Sequence, residues 1–160
     1  MIPIKNNPVI NSETISKLQP KLNQASQIIK QAIESHTPIL IRHHCDCDGY
    51  CAALLLEKAI IRHQQTISQD PSLKYKLYTR SPSRAPYYDY QDALRDTTNF
   101  LTGIERFRNK APLIIIVDNG STEEDLQSIK LVKQFGAKVL VIDHHYPGEV
   151  TNGRSLIDDY

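Results

Sequence analysis

Short apolar runs alternate along the chain with longer segments in which apolar residues recur every three or four positions. Runs 38–41, 112–117 and 138–142 are rich in Ile, Val and Leu, which is typical of strands buried on both faces of a parallel sheet. Residues 74–78 alternate between polar and apolar side chains and predict a further short strand. The pattern therefore predicts a sheet of at least these strands.

The segments before and between the predicted strands show the apolar periodicity of helices. Segments 11–36, 52–61, 91–108 and 122–135 carry apolar residues at the spacing of one helical face. Residues 1–10 carry no such pattern, and we expect them to form an arm. Because helices and strands alternate, the sequence predicts an α/β fold: a three-layer Rossmann-like domain with a largely parallel β-sheet flanked by helices.

Aspartate and histidine cluster where three of these strands end. The clusters are His44, Asp46 and Asp48; Asp118, Asn119 and Ser121; and Asp143, His144 and His145. In a parallel sheet these ends meet at one edge, where ligands bind. Carboxylates crowded there would repel one another unless a cation offset their charge. The three clusters together therefore predict a metal site rather than a coincidence of capping and loop residues.

The first cluster has the spacing of alternate positions on an extended backbone. There His44, Asp46 and Asp48 would point one way and the intervening cysteines the other, with successive Cα atoms of the set roughly 6.6 Å apart. Converging side chains at that spacing suit two cations about 3.5–4 Å from each other. Gly49 would permit a tight turn into the following helix.

Composition limits the alternatives. The 160 residues, with 40% hydrophobic and 23% charged positions, suit one domain with a sizeable core. A net charge of +1 leaves no basic footprint, so a polyanion would need a local patch or metal ions. No run approaches the ~20 apolar residues of a membrane span, and no signal peptide opens the chain. Membrane contact is not expected.

Three cysteines lie within seven residues of one another. That arrangement lacks both the spacing of a secreted disulfide framework and the second ligand pair of a thiolate zinc site. We expect reduced cysteines with a packing role in a cytoplasmic protein. Elsewhere, Arg80 and Arg84 are interleaved with tyrosines and could grip phosphates while bases stack. A surface loop whose tyrosines pack on the neighbouring helix is the favoured alternative.

Taken in order, the three clusters resemble motifs I, II and III of the DHH phosphoesterase superfamily, over residues 38–147. The His-x-Asp-x-Asp form of the first motif is most similar to archaeal RecJ-like exonucleases. The resemblance implies two divalent ions, with Mn²⁺ preferred and Mg²⁺ possible. His44, Asp46 and Asp118 would hold one ion; Asp48, Asp118 and His144 would hold the other. Asp118 would bridge the two ions.

The same resemblance implies roles for the remaining residues. Asp118 and His145 would be catalytic, with His145 contacting the phosphate or assisting proton transfer while a hydroxide shared by the ions attacks phosphorus. Asp143 would stand behind the ligands and orient a histidine. Asn119 and Ser121 would add hydrogen bonds near the bridging carboxylate.

Two features of the family have no counterpart in this sequence: a fourth motif with another aspartate, and a C-terminal substrate-binding domain. We therefore expect residues 1–160 to form a single DHH-type catalytic domain, truncated relative to the family, with 79–108 as an insertion near the site. The lengthy interval between Asp48 and Asp118 prompts that expectation.

The sequence favours a phosphodiesterase that acts on single-stranded DNA or RNA, or on short oligonucleotides, as RecJ-like exonucleases do. Small substrates remain an alternative: a cyclic dinucleotide, a bisphosphate nucleotide or pyrophosphate. A third possibility is a non-catalytic replication scaffold that works with a replication or repair partner protein. The intact ligands of all three motifs argue against the scaffold.

Overall fold

The computed structural model describes residues 12–147, 150–151 and 154–155, so the arm expected at 1–10 lies outside the described residues. The α-helices there are α1 (Glu13–Glu34), α2 (Cys47–Ile67), α3 (Leu73–Leu77), α4 (Tyr90–Phe107) and α5 (Leu126–Gln134), and a short 3-10 helix, Glu123–Asp125, precedes α5. The strands are β1 (Ile39–His43), β2 (Tyr78–Pro82), β3 (Leu113–Val117), β4 (Lys138–Ile142), β5 (Val150–Thr151) and β6 (Arg154–Ser155). Among the described helices, none combines the length and apolarity that a bilayer span requires.

Strands β1 to β4 form one parallel sheet in the order β2-β1-β3-β4, and β5 pairs with β6 in a separate antiparallel ribbon. All five residues of β3 are buried, as expected for a central strand covered on both faces. The sheet thus confirms the α/β prediction, with helices in a layer on each side.

Side chains that alternate along the strands divide between two apolar cores. One core lies between the sheet and helices α1 and α2; its buried members include Ile33, Ile39, Ile41, Ala53, Ile60 and Ile115. The other lies between the sheet and helices α4 and α5; its buried members include Tyr88, Ala93, Ile114, Ile116, Ile129 and Val132. This two-sided burial gives the three-layer architecture that the sequence predicts.

The observed elements differ from the predicted ones around the second strand. Residues 74–78, predicted as a strand, lie mostly in the one-turn helix α3, and the strand itself is Tyr78–Pro82. Polar–apolar alternation over five residues fits a single helical turn as well as a strand, so the pattern could not separate them. Segment 79–108, expected as an insertion, supplies most of β2 and the helix α4 that covers the sheet.

A buried ion pair joins the sheet to α4. Arg42, 1% exposed, donates through Nε to Asp96 Oδ2 at 3.2 Å and through Nη2 to Asp96 Oδ1. It also donates through Nη1 to the Pro82 carbonyl at 2.7 Å. The Tyr88 hydroxyl donates to Asp96 Oδ2 at 2.9 Å. Burial raises the pKa of Asp96, although the Arg42 guanidinium opposes the shift.

Candidate metal centre

The carboxyl ends of β1 and β3 lie side by side at the topological switch point of the sheet. From β1 the chain moves outward to β2 and then crosses to the other side of β1 to form β3. The ladder continues past the strand ends: the His44 amide donates to the Val117 carbonyl at 3.2 Å, and the Asp118 amide to the Ile142 carbonyl at 2.9 Å. Open α/β sheets bind ligands at such a crevice.

Asp118 stands at the centre of this edge. It is 5% exposed and has a left-handed backbone, with φ at 60°. Its Oδ1 lies 2.9 Å from His144 Nε2, and its Oδ2 lies 3.6 Å from His44 Nδ1. Burial raises the pKa of Asp118, and repulsion from the carboxylates of Asp48 and Asp46 raises it further. A cation bound next to Asp118 would offset both the burial of its charge and the repulsion from the two neighbouring carboxylates.

The first cluster reaches Asp118 through a helix start rather than an extended strand. Helix α2 begins at Cys47, and Asp46 caps it by accepting from the Gly49 amide at 3.1 Å. Asp48 therefore lies in the first helical turn, where its Oδ2 is 3.4 Å from His144 Nε2. The prediction of three alternating extended positions was wrong, because the Asp46 side chain satisfies an orphan helix donor.

Gly49 also has a different role from the predicted turn. It lies inside α2, where an added Cβ would come 2.5 Å from the His44 carbonyl oxygen and 3.0 Å from Asp118 Oδ2. The residue is therefore needed for close approach between the helix start and the ends of two strands. The sequence signal was a glycine just after two aspartates at the start of an apolar helix, and we interpreted it only as a turn.

The third cluster is organised by Asp143. Its Oδ1 accepts from His145 Nδ1 at 2.7 Å and from the His144 amide at 2.8 Å, and its Oδ2 accepts from Ser121 Oγ at 2.5 Å. Burial works against ionisation, yet the hydrogen bonds from Ser121 and His145 hold the pKa of Asp143 below its ordinary value. In return, the hydrogen bond to Asp143 raises the pKa of His145.

The donor atoms fit divalent ions. One group consists of His44, Asp46 and Asp118, and another of Asp118, His144 and His145, with ligand atoms within 4.8 Å of one another in each group. His44 Nδ1 and Asp118 Oδ2 are buried without a hydrogen-bond partner, although His44 Nδ1 is 2.8 Å from Asp46 Oδ2. Buried polar atoms normally have a partner, and carboxylate and imidazole donors suit Mn²⁺.

Three of the expected site residues point elsewhere. Asn119, 2% exposed, donates to Ser83 Oγ at 3.0 Å. Arg80 donates to Glu57 Oε2 at 2.8 Å and lies half-buried. Arg84 donates through its amide to Asp92 Oδ2 at 2.8 Å, and its guanidinium is largely exposed. Of the two arginines, Arg84 is the one whose charged group faces solvent.

His43, the last residue of β1 and the neighbour of His44, is fully buried. Its ring meets the Tyr50 ring edge-on, with centroids 4.6 Å apart. Burial lowers the pKa of His43, although its hydrogen bond to the His44 carbonyl opposes the change. Ser83, which sequence reasoning missed, donates its amide to the His43 carbonyl at 2.7 Å; no sequence pattern signalled it.

A family model and a solved structure both match this chain to the DHH domain. The model of the DHH family, N-terminal domain, matches residues 38–158. "Uncharacterized protein MJ1198" of Methanocaldococcus jannaschii is 40% identical over 159 residues, which are 99% of this chain and 21% of that protein. A solved structure described as "Member of s1p family of ribosomal proteins PF0399 DHH domain" is 39% identical with a TM-score of 0.92, over 96% of this chain and 35% of that one. The chain thus spans about a fifth of the curated relative.

Proposed function

Because this chain belongs to the DHH family, whose members are metal-dependent phosphoesterases, we propose that it hydrolyses phosphodiester bonds in single-stranded nucleic acid or short oligonucleotides with two divalent ions. The resemblance to the DHH superfamily is confirmed, whereas the narrower resemblance to archaeal RecJ-like exonucleases stays a prediction.

One observation carries the proposal: side chains from two distant segments converge on Asp118, which lies in a third segment and is a buried carboxylate with an unpartnered oxygen. His44, Asp46 and Asp118 would hold one ion, and Asp48, Asp118 and His144 the other. Bound there, divalent ions would neutralise phosphate charge and lower the pKa of the attacking water. A structural cluster would gain nothing from leaving those buried atoms unpaired.

His145 is suited to move a proton. The hydrogen bond from its Nδ1 to Asp143 leaves Nε2 directed away from that carboxylate. The centroid of its ring lies 4.7 Å from that of His144 and 6.0 Å from that of His44. The raised pKa of His145 favours the imidazolium, which can donate to the leaving oxygen. Asp143 would hold the ring in place during that transfer.

Features beside the site favour an oligonucleotide as substrate. Tyr146 follows His145 and is 79% exposed, so its ring offers a face on which a base can stack. Away from the metal ligands, the Arg84 side chain is 56% exposed, so its charged group would be accessible to a phosphate further along an oligonucleotide. Because the solved relative is described as a member of a family of ribosomal proteins, we favour RNA over DNA.

A second candidate keeps the site and changes the substrate to a small nucleotide: a cyclic dinucleotide, a bisphosphate nucleotide or pyrophosphate. The observation in its favour is the net charge of +1, because proteins that hold a long polyanion usually present a basic stripe.

Hydrolysis by the purified chain in Mn²⁺ separates these candidates. We expect labelled single-stranded RNA and short oligonucleotides to be cleaved faster than the small nucleotides, and Asp118→Asn to abolish cleavage of all of them. Glu105→Gln, at an exposed carboxylate on α4, is the matched control and should cleave at the wild-type rate. Equal rates in the wild type and Asp118→Asn would overturn the proposal.

A further inference from the structure

Three polar residues behind the candidate metal centre form a chain of hydrogen bonds that the proposed chemistry does not use. Glu57 Oε2 accepts from Arg80 Nε at 2.8 Å. Arg80 Nη1 lies 3.3 Å from His43 Nε2. His43 Nδ1 lies 2.7 Å from the His44 carbonyl oxygen. The hydrogen bonds therefore run from the third turn of helix α2, through β2, to the backbone of a candidate metal ligand.

The contacts of the two ring nitrogens of His43 require the same tautomer. A guanidinium has donors and no acceptor, so Nε2 must offer a lone pair to Arg80. A carbonyl oxygen has acceptors and no donor, so Nδ1 must carry the proton that goes to His44. Glu57, as a carboxylate, can only accept from Arg80. The three hydrogen bonds are therefore satisfied together only by a neutral His43 whose proton is on Nδ1.

The carbonyl at the end of this chain is held from a second side. A Cβ on Gly49 would meet the His44 carbonyl oxygen at 2.5 Å, so helix α2 rests directly against it. The His44 amide is also fixed, because it donates to the Val117 carbonyl at 3.2 Å. With both main-chain groups anchored, the His44 side chain is left to direct Nδ1 toward Asp46 and Asp118, at 2.8 and 3.6 Å.

We propose that Glu57, Arg80 and His43 are positioning residues that fix the His44 backbone and thereby set His44 Nδ1 for metal binding. This inference rests on the proposed function, since it assigns the residues that support the same site. It also replaces the expectation that Arg80 binds phosphate: the Arg80 guanidinium is already held by Glu57 and His43, and its side chain is 26% exposed.

A role in packing alone would not require this arrangement. His43 is fully buried, and an apolar side chain of similar size would fill the same space without a partner. A purely structural ion pair between Arg80 and Glu57 would not need the imidazole lone pair or the His44 carbonyl. A positioning role differs from a packing role in what a substitution changes. If these residues position His44, breaking the hydrogen bonds lowers the metal affinity even where the fold remains stable.

The test measures Mn²⁺ affinity by calorimetry and the His43 tautomer by ¹⁵N NMR in the metal-free protein. In the wild type we expect a protonated Nδ1 and a bare Nε2. Arg80→Met should weaken Mn²⁺ binding by about 10–100-fold, the usual effect of losing a partner behind a ligand. Arg62→Met, at an exposed position of α2, is the matched control and should keep wild-type affinity.

Two substitutions at His43 separate positioning from packing. His43→Asn keeps a donor near the Nδ1 position and should retain more Mn²⁺ affinity than His43→Leu, with urea unfolding of both variants as the measure of stability. Should His43→Leu fail to fold, Glu57→Gln tests the far end of the chain, where we expect a smaller loss of affinity.

The outcomes distinguish this inference from the proposed function. Weaker Mn²⁺ binding by Arg80→Met, in a protein that hydrolyses none of the nucleotide substrates, would support the inference and defeat the proposed function. Wild-type affinity in both Arg80→Met and His43→Asn, or a proton found on His43 Nε2, would overturn the inference even where hydrolysis is observed.

Discussion

At the scale of single residues, Asp118 combines three conditions that each cost stability in the metal-free protein. It is a non-glycine residue at positive φ, a nearly buried acid, and a neighbour of two further carboxylates. Strain and unfavourable charge of this kind concentrate where a protein binds or reacts. The raised pKa of Asp118 means that the fold disfavours the ionised carboxylate relative to the unfolded chain when no cation is present.

Asp118→Asn should therefore raise the melting temperature of the metal-free protein, because the amide removes a buried negative charge while keeping the shape. The same substitution should abolish the stabilisation that Mn²⁺ gives the wild type, which is about 2.7 kcal/mol when the free ion is at 100 times its Kd. Thermal unfolding with and without Mn²⁺ measures both effects. A variant that is less stable without metal, yet still stabilised by Mn²⁺, would contradict this account.

His145 provides a prediction about pH. The pKa of His145 lies above the ordinary histidine value of 6.5 because Asp143 accepts a hydrogen bond from Nδ1. A raised folded pKa contributes stability that is fully present below pH 6.5 and is lost as the pH rises through the folded value. In Asp143→Asn the His145 pKa should fall toward 6.5, and NMR titration of the metal-free protein measures it. An unchanged pKa in that variant would show that Asp143 is not the cause.

At the scale of elements, the start of α2 determines where the first cluster points. The sequence predicts a helix only from residue 52, since the polar residues before it break the apolar pattern, whereas α2 begins at Cys47. The missing information was the cap: Asp46 satisfies the Gly49 amide, which allows the helix to begin five residues earlier. Helix boundaries set by one side chain are invisible to periodicity.

Gly49→Ala tests this element. Alanine favours a helix interior by about 1 kcal/mol over glycine, yet here its Cβ would strike the His44 carbonyl oxygen at 2.5 Å. We expect a lower melting temperature and weaker Mn²⁺ binding. The matched control is Gly103→Ala in α4, where the nearest atom would be Asn109 Nδ2 at 3.4 Å; it should be neutral or stabilising. Equal effects of the two substitutions would contradict the close-approach role.

At the scale of the whole molecule, the ion pair of Arg42 and Asp96 joins two layers through the interior. Asp96→Ala would leave the Arg42 guanidinium buried with Asp92 Oδ1 at 3.7 Å as its nearest carboxylate, so we expect a loss of about 3–5 kcal/mol in the free energy of unfolding. Urea unfolding measures it. The double variant Arg42→Met/Asp96→Leu should recover part of the loss, and no recovery would show that the Asp96 effect is not electrostatic.

Much of the fold follows from the sequence, because the apolar runs at β1, β3 and β4 are short, rich in β-branched residues and separated by longer helical segments, which favours buried strands. β2 was placed wrongly because Thr79, Arg80 and Ser81 carry no apolar signal, and its strand conformation comes from pairing with β1. At the candidate site, the proximity of the Asp and His clusters could be predicted because each cluster follows a strand, and the carboxyl ends of parallel strands meet at one edge of the sheet. The partners of Arg80 and Asn119 depend on long-range packing, which no local pattern encodes.

The parallel sheet also places the candidate metal centre at its carboxyl edge and most helix-to-strand connections at its amino edge. Each helix that leaves the carboxyl edge carries the chain back to the amino edge, so the connections 35–38, 68–72, 108–112 and 135–137 lie away from the candidate metal centre. Asp70, exposed in one of these connections, is therefore a place where a dye or a surface tether can be attached. A protein immobilised at this position would keep its candidate metal centre accessible to solvent.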